Sequence, residues 1–374
     1  MNEQSEIEIK TERLRRMLVA ENLNGILINA QHNFAWLTGG KSNGINLSVE
    51  NGSCFLLVCR DGKKFVLANN IEMNRLLTEE ISADEFEPVE FPWEDEKVVG
   101  DFVFERAKSL LDGNGEIASD LPLSAKVRAI ENLIAPCRFE FTAAETERYR
   151  KLGRDAGAAL RKIFQKIEPG ETELEIARKV RDALAVYHIN SIVTLVGADE
   201  RTERFRHPIP TDKRWRKVVL IGICAKREGL IVNFSRIACV GEIPGELDRK
   251  TDAVAHVFAR MIAATRIGAS GAELYQATAK AYAEQGFADE IQKHHQGGAT
   301  GYKTREWLAH PKSAEIVLKN QAFAWNPTIT GTKAEETFVV TENGAEILTT
   351  SPDFPSVSIE INGREFQSPG ILSL

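Results

Sequence analysis

Stretches with apolar residues three and four apart alternate with short, unbroken apolar runs. Residues 7–22 carry Ile9, Leu14, Met17, Leu18 and Ala20, which predicts a helix, and residues 25–30 follow as a strand-length run. Residues 55–59 and 64–68 are apolar and flank Arg60-Asp61-Gly62-Lys63. Asp-Gly between two such runs predicts a hairpin, because glycine adopts the positive φ the turn requires. Residues 97–112 return to helical spacing, so the first third predicts mixed α/β structure.

Thr142 precedes Glu145 by three positions, the pattern of a capping box in which each side chain satisfies a free backbone N–H. A domain boundary is placed there, giving domains at 1–140 and 141–374. The following helix carries Leu152, Ala156, Ala159, Leu160, Ile163 and Ile167, and Pro169-Gly170 stops it. Thr172 with Glu175 and Ser270 with Glu273 repeat the capping pattern. Strand-like runs occupy residues 192–196, 218–225 and 230–240. The turn Lys226-Arg227-Glu228-Gly229 makes the last two an antiparallel pair.

Composition narrows the function classes. The 374 residues are 43% hydrophobic and 27% charged, enough to build a core, with a net charge of −7. That balance argues against nucleic acid or an anionic membrane as the main partner. No run approaches the ~20 apolar residues of a membrane span. The opening MNEQSEIEIK is polar and acidic, unlike a secretory signal. Five cysteines without a CxxC pair make no disulfide framework and read mostly as small buried hydrophobes, so the expected location is cytoplasmic.

Four segments in the second half carry candidate chemistry. They are Gly222 to Arg236 with Gly229 and Asn233 between, His294-His295-Gln296-Gly297-Gly298-Ala299-Thr300-Gly301, Asn326-Pro327, and Glu335-Glu336 leading to Val340-Thr341. In these segments residues 142–350 resemble the M24 peptidase family: Xaa-Pro aminopeptidases, prolidases, methionine aminopeptidases and creatinase. The first 140 residues resemble the small amino-terminal domain of the prolidase and creatinase branch. The resemblance implies an α/β chain whose small mixed α/β domain precedes a pita-bread α+β domain, a curved antiparallel sheet with helices outside. It also implies a homodimer.

Family members usually hold two metal ions with two Asp, one His and two Glu. The aligned positions here are Gly222, Asn233, Gly298, Asn326 and Glu335. One carboxylate, two amides and two glycines do not make the donor set that divalent cations require. No metal ligand and no cofactor is therefore expected.

The resemblance also aligns His207 with the catalytic histidine of creatinase, which works without a metal but has Glu where this chain has Asn326. An imidazole suits proton transfer near neutral pH. His207, His294 and Glu335 are the candidate acid–base groups, and Glu335 is either such a group or half of an ion pair. Asn233, His295, Tyr302, Arg305 and Asn326 are candidate substrate contacts, with His295 on the strand face opposite His294. The run Gly297 to Gly301 reads as a tight strand turn or a backbone cradle for an anion. The basic segment Arg201 to Lys217 reads as a solvated loop or a rim that attracts a carboxylate.

The expected function is metal-independent hydrolysis of a C–N bond in a small peptide-like or guanidino substrate. Two other readings stay open: an inactive protein that binds a peptide or amino-acid derivative, and a metal-dependent Xaa-Pro aminopeptidase or dipeptidase.

Overall fold

The computed structural model describes residues 5–111 and 115–374. The chain divides into two compact units, one ending at Arg138 and the other beginning at Phe139.

The first unit is built on six strands: β1 (Gly25–Ala30), β2 (Asn51–Cys59), β3 (Lys64–Asn69), β4 (Glu87–Phe91), β5 (Ile117–Ser119) and β6 (Arg128–Ala129), in the order β4-β3-β2-β1-β5-β6. The β2–β3 hairpin turns at Asp61-Gly62, with Gly62 at φ +99°. Leu27, Leu57, Phe65, Leu67 and Val89 fill its core. The sequence expectation of one helix over 97–112 is only partly met. A short turn Asp95–Val98 and a helix Phe102–Lys108 are separated at Gly100, which disfavours continuous helix, and residue 112 lies outside the described residues.

In the second unit, capping boxes at Thr142, Thr172 and Ser270 open the helices Ala143–Phe164, Glu173–Ala185 and Gly271–Glu284. The first of these stops at Phe164, and Ile167 packs from the turn beyond it. Strands β7 (Asn190–Ala198), β8 (Val218–Arg227) and β9 (Leu230–Cys239) form an antiparallel sheet, joined on the far edge of β9 by a parallel strand at Ile371–Ser373. Glu228 and Gly229 both take positive φ at the β8–β9 turn, as a tight hairpin requires.

A second sheet holds β10 (Gly297–Thr300), β11 (Trp307–Leu308), β12 (Ala322–Trp325), β15 (Glu336–Thr341) and β16 (Gly344–Ile347). A small hairpin, β13 (Thr328–Ile329) and β14 (Thr332–Lys333), links β12 to β15. The glycine run is a strand rather than a turn or an anion cradle: β10 pairs with β11 on one side and β12 on the other. The two sheets meet where Asn233 N donates to Thr337 Oγ1 at 2.7 Å and Ser235 N donates to the Glu335 carbonyl at 3.3 Å. That junction sets Glu335 against β9. Among the described residues no helix is long and apolar enough to cross a membrane.

Candidate active site

Side chains alternate across a strand, so residues two apart share a face. Register places Leu195 opposite Gly222, Val193 opposite Cys224, and Cys224 opposite Asn233. All five line one cavity of about 340 Å³, together with His207, His295, Arg305, Asn326, Lys333 and Glu335. A larger cavity of about 730 Å³ in the first unit is lined by Phe55, Trp93 and Leu123 among others and contains none of the candidate residues.

Four of the five positions aligned with family metal ligands thus meet: Gly222, Asn233, Asn326 and Glu335. The fifth, Gly298, does not. A Cβ there would sit 2.0 Å from the Trp307 carbonyl oxygen in β11, so no side chain fits at that position without moving the strand. At Gly222 the nearest atoms to a Cβ are 3.8 Å away, ordinary contact distance.

The carboxylate of Glu335 is already engaged. Lys333 Nζ lies 2.8 Å from Oε2, and Arg305 Nη2 lies 3.7 Å from Oε1. The Lys333 and Glu335 side chains are 6% and 7% exposed, so water screens this pair little. Two cations around one carboxylate leave the cavity an excess of one positive charge.

The donor set does not fit a pair of divalent ions. One charge-paired carboxylate and two neutral amide oxygens face two fixed cations. At an effective dielectric near 20, unit charges ~4 Å apart repel by about 4 kcal/mol, and a dication doubles that.

The amides face the cavity with free acceptors. Thr300 Oγ1 gives its proton to the Lys303 carbonyl at 3.1 Å, so it accepts from Asn233 Nδ2, also at 3.1 Å. That leaves Asn233 Oδ1 buried without a partner, and Asn326 Oδ1 is in the same condition. Buried acceptors of this kind are satisfied by water in the free protein and can accept from the N–H groups of a ligand.

The histidines form a cluster. His207 Nε2 lies 3.1 Å from His294 Nε2, and the His294 and His295 rings stack at 4.4 Å between centroids. His295 therefore does not lie on an opposite strand face; both residues sit in the bend before β10, where no strand alternation separates them. Burial, then Lys333 and the neighbouring rings, push His294 down to about 2. Burial, Arg305 and Lys333 push His295 down to about 4. His207 is lowered by burial and Lys333, with Glu335 opposing. All three are neutral imidazoles at pH 7.

Tyr302 does not reach the cavity. It is buried, and its hydroxyl donates to Glu145 Oε1 at 2.9 Å beside the Thr142 cap. Much of the basic segment is also engaged: Arg201 pairs with Glu173, Lys213 with Glu200, and Arg206 with Glu290. Lys333 and Cys224 are cavity residues that the motifs did not indicate. Lys333 stands two residues before Glu335, a spacing that signals a shared face. Burial raises the Cys224 thiol to about 12, so it serves as an apolar wall.

Residues 147–342 match the model of metallopeptidase family M24, just over half of the chain, and residues 10–151 match the creatinase/prolidase N-terminal domain. The Xaa-Pro dipeptidase of Pyrococcus furiosus is 26% identical over 233 residues, 59% of this chain and 66% of that protein. The chain thus spans just under two thirds of the length of this relative. Among solved structures, the prolidase from Pyrococcus horikoshii OT3 superposes with a TM-score of 0.75 at 18% identity, covering 91% of this chain and 98% of that one. The Xaa-Pro dipeptidase from Bacillus anthracis gives 0.75 at 16% identity, covering 98% and 100%. At those identities the likeness establishes the two-domain prolidase-type fold.

Proposed function

This chain belongs to metallopeptidase family M24, and from that premise we propose that it hydrolyses a C–N bond of a small anionic substrate without the family's pair of metal ions. The observation that carries this reading is the Lys333–Glu335–Arg305 group, in which two protein cations stand beside the one carboxylate among the aligned ligand positions.

The excess positive charge suits a substrate carboxylate, and Arg305 offers it a planar fork of donors. The free Oδ1 atoms of Asn233 and Asn326 suit substrate N–H groups. A dipeptide-like amide and a guanidino acid both present that combination. His207, neutral and exposed, takes a proton from water as oxygen adds to the substrate carbon, then delivers it to the leaving nitrogen as the C–N bond breaks. Lys333 and Arg305 stabilise the negative charge that develops on the carbon's other substituent. His294 holds His207 in place, and His295 faces the bound ligand. A homodimer and a cytoplasmic location belong to the same proposal and rest on the resemblance and the composition.

A panel of guanidino acids, amides and dipeptides, assayed with wild type, His207→Ala and Glu335→Ala in chelator, tests this. Turnover of one substrate that falls about 10²–10⁴-fold in His207→Ala supports it. Tight binding with no turnover favours a peptide-binding protein instead. Turnover that needs added metal favours a metal-dependent dipeptidase; the name of the Pyrococcus furiosus relative, Xaa-Pro dipeptidase, supports the dipeptidase part of that reading.

A further inference from the structure

The three imidazoles occupy none of the five aligned ligand positions, yet their nitrogens converge. His207 comes from the loop between β7 and β8, and His294 and His295 come from the bend before β10. One ring nitrogen from each lies within 4.8 Å of the other two. Two nitrogens bound to one tetrahedral ion at about 2.05 Å stand roughly 3.3 Å apart. His207 Nε2 and His294 Nε2 are already 3.1 Å apart. The His295 ring is stacked on that of His294 at 4.4 Å between centroids and already brings one nitrogen within 4.8 Å of both partners.

We infer that His207, His294 and His295 form a mononuclear transition-metal site, distinct from the paired-ion centre of the family. In the free protein one of the His207 and His294 Nε2 atoms donates a hydrogen bond to the other, and a metal ion would take the place of the shared proton. Three neutral nitrogen donors with a solvent side is the composition of an open site for Zn²⁺, Co²⁺, Ni²⁺ or Cu²⁺. It is a poor one for Mg²⁺ or Ca²⁺, which take oxygen. Lys333 and Arg305 oppose a cation nearby, and Glu335 offsets one of them. The site depends on this geometry and not on the proposed hydrolysis. An ion bound there takes His207 out of proton transfer, so it inhibits any reaction that uses this imidazole.

The test is direct binding to the full-length protein, with no turnover required. Co²⁺ is titrated and its visible d–d absorption recorded, with Zn²⁺ as competitor. His207→Ala, His295→Ala and Glu335→Gln are run alongside, each with a melting curve to establish folding. The two histidines are exposed, so their truncation leaves the core intact. The expected result is one Co²⁺ per chain, displaced by Zn²⁺, with affinity reduced by roughly tenfold or more in each histidine variant. Glu335→Gln retains the ion. Binding that is unchanged in both histidine variants overturns the site, because groups outside the three-histidine cluster would then hold the ion. Two ions per chain lost in Glu335→Gln also overturn it.

Discussion

Lys333 Nζ lies 2.8 Å from Glu335 Oε2, inside a cavity where the family resemblance aligns metal ligands. The short hairpin β13–β14 delivers the ammonium. Gly331 at φ +104° makes its turn, and the chain then carries Ala334 and Glu335 into β15. An ammonium and a guanidinium therefore balance the charge of this carboxylate.

Removing one partner of this pair should cost stability. Lys333→Met leaves Glu335 with only Arg305 at 3.7 Å and should destabilise the fold by about 2–4 kcal/mol. The double variant Lys333→Met/Glu335→Gln should recover much of that loss. Urea denaturation of the four-member cycle measures the coupling, expected at about 1–3 kcal/mol. Additive losses would mean that the two side chains do not interact.

The two glycines aligned with ligands should respond oppositely to a methyl group. Gly222→Ala places its Cβ 3.8 Å from its neighbours and should leave stability within about 0.5 kcal/mol. Gly298→Ala drives a Cβ against the Trp307 carbonyl and should cost at least about 2 kcal/mol. Thermal melts of both variants check the contrast.

Local rules carried the sequence reading where the structure is local. The capping boxes at Thr142, Thr172 and Ser270 and the turns at Asp61-Gly62 and Glu228-Gly229 fix element ends through interactions three residues apart. The last third was not legible in that way. β11, β13 and β14 are two residues each, too short to show a period, and the β10–β12 and β12–β15 pairings join distant segments. Motif spacing brought His207, Asn233, Asn326 and Glu335 to one cavity. It misplaced Tyr302, whose position beside Gly301 says nothing of the inward turn toward Glu145. It passed over Lys333 because a hairpin end belongs to no motif.

Acid should weaken the first unit through Glu131. Burial alone would raise this carboxyl, but the hydrogen bond from His32, the charge of Arg138 and the Asn33 amide hold it well below the usual carboxylate range. The unfolded chain then binds the proton more readily. This contribution is present above the unfolded carboxylate pKa, ~4.3, and is lost as pH falls from about 5 toward the folded value. Stability measured against pH should show a steeper acid-side loss in wild type than in Glu131→Gln. Parallel curves would remove Glu131 from the account.

The loop that presents His207 is tied down one residue earlier. Arg206 pairs with Glu290, which also accepts from Thr330 Oγ1 at 2.9 Å. Arg206→Ala should therefore lower kcat by about tenfold to a hundredfold through misplacement of His207, with little change in KM and partial rescue by Arg206→Lys. A KM effect alone would instead place Arg206 in binding.

Elemental analysis of the chain after equilibration with excess Zn²⁺ and desalting decides whether paired ions occupy the cavity. Wild type is compared with a variant carrying alanine at positions 207, 294 and 295. One ion per chain in wild type and none in the triple variant is the predicted outcome. Two ions per chain that persist in the triple variant and vanish in Glu335→Gln would contradict it.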